Sequence, residues 1–212
     1  SYLASDGTVA IVVDPQRDID RVLYLAGEKG VRITHVVETH IHNDYVSGGL
    51  ELARVTGAHY LVAAADEVGF DRMPVSDGDQ VPVSDSLRLR VIATPGHTFH
   101  HLSYVLDEST EGGWWPVGVF TGGSLLFGTT GRTDLLGKEH AHELAHHQHA
   151  SAAQAGRPAA RRRPGLAHPR LRQLLLGQPG RRPRVDDRPG EGCQPGAAAG
   201  RRRVRDRDPR RP

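Results

Sequence analysis

The stretch Thr39-His40-Ile41-His42-Asn43-Asp44-Tyr45 decides how this chain is read. It follows directly on Ile33 to Val37, a run rich in β-branched residues that predicts a buried strand. Alternate residues of an extended segment point to one side, so His40 and His42 present two imidazoles to a single ion. Asp44 falls two residues further on, placed to orient a water or accept a proton, and Gly48 and Gly49 remove side-chain bulk beside the site. A second piece, Thr94-Pro95-Gly96-His97-Thr98, also ends a predicted strand. His97 is the candidate third ligand, because two nearby imidazoles and a distant third are a common way for a chain to enclose a metal.

Outward from these motifs, Val9 to Val13 reads as a buried strand stopped by Asp14-Pro15. Asp18 is placed to cap a helix that carries Ile19, Val22, Leu23 and Ala26 on one face and closes at Gly30. Ser47 is placed to cap a second helix, with Leu50 and Ala53, ending near Gly57. Short strands are expected at Tyr60 to Val62, His101 to Leu106 and Val117 to Thr121, with alternation from Gln80 to Ala93 and a last helix from about Glu139 to Ala150. Strand-helix-strand-helix followed by a run of strands fits two packed sheets with helices outside, an α/β sandwich.

Three elements together carry a resemblance: the HxHxD stretch, the TPGHT turn, and Phe120-Thr121-Gly122-Gly123-Ser124-Leu125-Leu126-Phe127 followed by Gly131-Arg132-Thr133-Asp134. They resemble the metallo-β-lactamase superfamily, and within it the persulfide dioxygenase and glyoxalase II branch, in particular bacterial proteins often joined to rhodanese domains. The resemblance covers nearly all of Asp6 to Ser151 and implies the αββα sandwich of that family. It also implies a metal site of His40, His42 and His97, with Asp44 as the catalytic carboxylate. Asp14 and His101 would stand behind the ligands, and Arg132 and Tyr45 would lie near the substrate.

Two positions depart from the family pattern. Tyr45 stands where the first motif normally ends in His, and Gly123 stands where a Thr-Gly-Asp element normally supplies a ligand. Both serve the second metal of the hydrolases, and the carboxylate ligates iron in the dioxygenases. The expectation is therefore one divalent ion, zinc or iron. Three imidazoles and an open position suit zinc; the iron pattern of two His and one carboxylate is complete only if Asp44 substitutes. The other histidines, His140, His142, His146, His147 and His149, are expected on a solvated helix face, with His142 and His146 adjacent.

Charge divides the chain. Through Ser151 it carries ten Lys or Arg against twenty Asp or Glu; from Ala152 onward, seventeen Arg, no Lys and five acids. No aromatic residue follows Phe127. An Arg-, Pro- and Gly-rich tail of this kind buries too little apolar surface to offset chain entropy. Residues 1–151 are thus read as the domain, truncated at both ends, and 152–212 as disordered. The tail lacks the Lys and aromatics of an evolved nucleic-acid arm, so no nucleic-acid partner is expected. A one-nucleotide shift of GC-rich codons turns Ala167 to Leu176 into PTHGFGSFCS, which resembles the family's late ligand loop. That points to a frame change near Ser151. Leu171 to Leu176 has helix propensity, but an isolated helix so short is marginal, and one sheet is expected to end in an unpaired edge.

The single cysteine, Cys193, excludes an intramolecular disulfide, and no apolar run is long enough for a membrane helix; a cytoplasmic protein is expected. The leading functional expectation is a persulfide dioxygenase-like metalloprotein acting on small thiol or persulfide compounds, with a rhodanese-type sulfurtransferase as possible partner. The alternatives are a glyoxalase II-like thioester hydrolase and a non-catalytic remnant with an impaired metal site.

Overall fold

The computed structural model describes residues 1–155 and 172–175. In chain order the elements are β1 (Tyr2–Ser5), β2 (Val9–Val13), α1 (Asp20–Lys29), β3 (Arg32–Val37), α2 (Gly49–Thr56), β4 (His59–Ala63), β5 (Met73–Val75), β6 (Gln80–Pro82), β7 (Leu87–Ala93), β8 (Leu102–Thr110), β9 (Gly113–Phe120), β10 (Leu125–Leu126), β11 (Thr129–Thr130), α3 (Ala141–Ala155) and β12 (Arg172–Leu175). One sheet has the order β12-β1-β2-β3-β4-β5 and a second the order β6-β7-β8-β9, with β10 and β11 a separate small hairpin.

Burial explains the layering. All five residues of β2 are buried, as befits a central strand covered on both faces. Ile11 and Val13 enter the core between the sheets with Val37, Leu61, Leu87, Leu89, Val91 and Tyr104. Ala10 and Val12 face the opposite way and pack with Val22 and Ala26 of α1 and Leu52 and Ala53 of α2. The sheets are thus joined by one apolar layer, and the two helices cover the outer face of the first sheet. β2, β3 and β4 are parallel, with α1 and α2 as their connections. The chain therefore emerges from β3 on the same edge of the sandwich where it leaves β2, and both exits supply site residues.

Most expected elements are present with small shifts. α1 begins one residue later than an Asp18 cap would place it: Ile19 holds the cap position without a side-chain bond, and Gly30 closes the helix in the left-handed conformation at φ 63°. At α2, Gly48 holds the cap position, and the Ser47 hydroxyl accepts the Gly49 N–H from one residue before it. β9 starts at Gly113, four residues ahead of the expected Val117, because the hairpin with β8 continues through Trp114 and Trp115. No sequence signal marked β1 or the three-residue β5, both too short to show a period.

The tail departs from its reading at one place. Arg172–Leu175 is a strand, not a short helix, and it pairs antiparallel with β1 from Tyr2↔Leu175 to Ser5↔Arg172. It covers the outer edge of β1, since a free edge satisfies any extended segment that supplies N–H and C=O groups; among the described residues β5 still ends that sheet. α3 also runs past Ser151 to Ala155. The remaining residues called disordered lie outside those described. Among the described residues no helix is long and apolar enough to cross a membrane.

Candidate metal centre

Three loops converge at one end of the sandwich. The β2 exit brings Asp14, the β3 exit brings Glu38 to Tyr45, and the β7–β8 connection brings Thr94 to His101. Two hydrogen bonds tie the sheets together here: Leu102 N–H donates to Thr39 O at 2.7 Å, and the Tyr104 hydroxyl donates to Glu38 O at 2.9 Å. The His40 ring centre lies 4.1 Å from that of His42, 4.9 Å from that of His97 and 4.9 Å from that of His101. The rings of His42, His97 and His101 thus each lie against that of His40.

Which nitrogen of each ring is free follows from its partners. The Thr39 hydroxyl donates to Asp14 Oδ2 at 2.9 Å, so its 2.9 Å contact with His40 Nδ1 is one in which it accepts. His40 is thus protonated on Nδ1 and keeps the Nε2 lone pair. His97 Nδ1 lies 3.0 Å from the Arg132 carbonyl, which can only accept; Nε2 again stays free. The Tyr45 hydroxyl donates to Asp14 O at 3.2 Å and so accepts from His42 Nε2 at 2.9 Å. Nε2 also lies 3.3 Å from both Asp14 Oδ1 and Glu38 Oε2, which leaves Nδ1 as the outward nitrogen of His42. Each of the three rings therefore has one nitrogen held by a fixed partner and one unspent, the arrangement by which outer groups orient metal-binding histidines.

His101 differs. Its Nε2 accepts the Gly123 N–H at 3.1 Å and its Nδ1 meets Thr94 Oγ1 at 2.9 Å, so both nitrogens are spent. It is fully buried, and burial followed by the neighbouring His40 pushes its pKa down to about 3. Stacked on His40 at 26°, it is a neutral wall behind that ring. Burial, then the charge of His42, likewise lowers His40 to about 4.

Asp14 sits at the hub. It is the only non-glycine residue with positive φ among those described, at 47°, and it precedes a proline, which ordinarily forces its neighbour into an extended backbone. That turn aims the carboxylate at the Thr39 N–H, 2.7 Å away, and at His42. Burial opposes its charge, but hydrogen bonds and charge from His42 outweigh burial and hold its pKa below the usual carboxylate value. Glu38 goes the other way: burial and the nearby Asp14 raise it, against hydrogen bonds from His42 and Ser47. For His42, burial disfavours the cation, but the hydrogen bonds and charges of Asp14 and Glu38 prevail and raise its pKa to about 9.

Asp14, Glu38 and His42 also form the one close group of three metal-donor atoms among the described residues, all within 4.8 Å. The His42 nitrogen nearest both carboxylates is Nε2, which already donates to Tyr45. We read these two carboxylates as the groups that orient His42, with the open side of the ring opposite them.

The remaining expected residues are placed as follows. Asp44 is largely exposed, with Oδ1 3.6 Å from His42 Nδ1, on the open side. Tyr45 turns its hydroxyl inward beneath His42. The Arg132 guanidinium is exposed and grips Asp134 at 2.8 and 3.0 Å; its backbone carbonyl is what touches the site. The His142 and His146 rings stand 4.8 Å apart on the exposed face of α3, away from these contacts. At Gly123, a Cβ would lie 2.2 Å from His97 Cδ2 and 2.7 Å from its Nε2. The His97 ring thus rests on the backbone where the family pattern has an aspartate.

The sequence assigns no role to Thr39, Glu38 or Gln148, and only a capping role to Ser47. A buried acid continuing an apolar strand was the available signal for Glu38, whose Oε1 accepts from Ser47 and, at 3.1 Å, from Tyr60. A Cβ on Gly49 would lie 2.2 Å from that same oxygen, which is why that position is glycine. Nothing in the local sequence announces Gln148, which holds Ser124 O at 2.8 Å from α3.

The sequence model of the metallo-beta-lactamase superfamily matches residues 1–167. The chain belongs to that superfamily. It is 32% identical over 120 residues to a hydroxyacylglutathione hydrolase of Methylobacillus flagellatus, covering 56% of this chain and 44% of that one. It is 36% identical over 124 residues to the hydroxyacylglutathione hydrolase of Rhodospirillum rubrum, covering 57% and 44%. The chain thus spans less than half the length of these curated relatives. Among solved structures, a metallo-beta-lactamase from Staphylococcus aureus aligns with TM-score 0.64 and 31% identity over 70% of this chain and 45% of that one. ETHE1 from Myxococcus xanthus aligns with TM-score 0.57 and 32% identity over 69% and 58%. These relatives fit the glyoxalase II and persulfide dioxygenase branch of the superfamily.

Proposed function

We propose that His40, His42 and His97 hold one divalent metal ion, and that the chain is a glyoxalase II-like hydrolase of small thioesters. The observation that carries this reading is the set of three imidazole nitrogens, His40 Nε2, His42 Nδ1 and His97 Nε2, each on a ring whose other nitrogen is hydrogen-bonded; a metal on His42 displaces the Nδ1 proton that the neighbouring carboxylates favour. A three-nitrogen donor set with an open position fits zinc. When bound, such an ion supplies Lewis acidity, polarising a carbonyl oxygen and acidifying water at the site.

The residues of the chain do the rest. Asp14 and Thr39 fix the His40 and His42 rings, and the Arg132 carbonyl fixes His97. Asp44, on the open side beside His42, is the carboxylate available to take a proton from the attacking water. Neither Tyr45, whose hydroxyl points inward, nor Gly123 offers a ligand to a second ion. The hydroxyacylglutathione hydrolases to which the chain is similar support a thiol-derived acyl compound as substrate.

The second reading is a persulfide dioxygenase using iron, to which a rhodanese-type partner would belong. The likeness to ETHE1 favours it; the missing carboxylate at Gly123 weighs against it. The test runs both reactions on one preparation of known metal content. Zinc-dependent release of free thiol from a glutathione thioester, without persulfide-dependent oxygen uptake, is expected. Iron-dependent oxygen uptake without thioester cleavage would overturn the proposal in favour of the second reading, and metal retention with neither activity would leave a non-catalytic remnant.

A further inference from the structure

A second pair of histidines lies apart from the centre built around His40. His35 of β3 and His59 of β4 are register partners on adjacent parallel strands. By the alternation of each strand they share the face that carries Val37, Leu61 and Ala63, the face toward the second sheet. His59 opens β4 and His35 is the fourth of the six residues of β3, whereas His40 follows the C-terminal end of β3. Five residues of near-extended chain separate His35 from His40, about 16 Å. Here the sheets do not close on one another: a cleft of about 320 Å³ opens between them, lined by Arg32, Thr34, His35, Thr56 and His59 and walled by Pro82 and Val83 of the second sheet.

The geometry points to a second, weaker site in this cleft for a divalent transition-metal ion, held by His35 and His59. The ring centres are 5.3 Å apart. Two imidazoles bound at about 2.0–2.1 Å to one tetrahedral ion have centres roughly 5 Å apart, so the pair needs rotation but no strand movement to chelate. The Thr34 hydroxyl reaches Ala10 O at 3.5 Å as donor and meets His35 Nδ1 at 2.9 Å, so it accepts there and leaves the His35 Nε2 lone pair unspent. Burial, reinforced by His59, keeps His35 neutral to about pH 4, the protonation state a metal requires. An anion fits less well. The Thr56 hydroxyl is spent on Leu52 O at 2.6 Å, and a neutral His35 Nε2 has no proton to give. Arg32 lines the cleft as a cation, so it weakens a metal there and would strengthen an anion.

That opposite sign makes the test. The full chain, loaded with one equivalent of Zn2+, is titrated calorimetrically with further Zn2+ and separately with inorganic phosphate. A weaker second Zn2+ event is expected. His59→Gln should weaken it at least tenfold, on the order of the loss seen when merely a supporting group of a metal site is removed. Arg32→Gln should tighten it, and His146→Gln on α3 should leave it unchanged. The inference is overturned if no second event occurs, if the event survives His59→Gln or vanishes with His146→Gln, or if Arg32→Gln weakens it while phosphate binds the unaltered chain. None of these outcomes depends on thioester or persulfide turnover.

Discussion

Substituting Gly123 by Ala tests the centre with one methyl group. That methyl would stand 2.2 Å from His97 Cδ2, 2.7 Å from Nε2 and 2.8 Å from Cγ. Carbon atoms rest at about 3.5–4.0 Å, so the ring must withdraw by more than about 1 Å. The backbone at residue 123 has little freedom to yield, because its N–H is bonded to the buried His101. The ring, partly exposed, is the part that moves, and in moving it gives up the Nδ1 bond to Arg132 O. Folding should suffer little, about 1 kcal/mol, at the low end of overpacking costs. Metal binding should suffer more. A metal–nitrogen bond of about 2.0–2.1 Å does not tolerate such a shift, and losing one ligand of three weakens affinity at least about 10–100-fold, or about 1.4–2.8 kcal/mol. Competition against a chromophoric chelator measures the affinity, and melting in excess chelator measures the fold. Unchanged affinity in Gly123→Ala would refute the placement of His97 on the ion.

Metal analysis of the purified chain should find one tightly held ion, and two tight ions per chain would contradict the reading of Tyr45 and Gly123. Thr39→Val, which removes the hydroxyl that sets the His40 tautomer, should lower metal affinity about 10–100-fold with little change in the metal-free fold; equal affinity would show that the tautomer is not set there. The pKa of His35 falls from the ordinary 6.5 to about 4 through burial and then His59, so the unfolded chain takes up a proton before the folded one does. Its contribution to stability is therefore complete above about pH 6.5 and lost progressively toward pH 4, amounting to about 1–2 kcal/mol after allowance for solvent screening. Denaturant unfolding of wild type and His35→Gln across that window checks this, with parallel pH profiles the contrary result. A chain with its reading frame restored beyond Ser151 should resist protease better than the chain as written, and equal resistance would count against a frame change.

What could be seen in the sequence was what repeats or alternates. The β-branched run of β2, the alternation of β7 and the HxHxD spacing after β3 each carry their own geometry, so the sandwich and the three histidines proposed as ligands are legible in them. The supporting groups could not. Thr39 and Gln148 act through contacts between residues distant in sequence, and neither residue type is unusual where it stands. The family pattern places Tyr45 and Arg132 near the substrate; the contacts they make here, the Tyr45 hydroxyl with His42 and the Arg132 carbonyl with His97, are not written in their local sequence. The strand at Arg172–Leu175 was missed because an open edge recruits by backbone hydrogen bonding, which leaves little trace in side-chain pattern.

The three rings come from both sheets: His40 and His42 follow β3 of the first, and His97 lies between β7 and β8 of the second. The ion proposed for them would be a cross-link between the two halves of the sandwich that the unfolded chain cannot reproduce. By mass action it adds to stability as the logarithm of its free concentration, about 2.7 kcal/mol when that concentration is 100 times the dissociation constant.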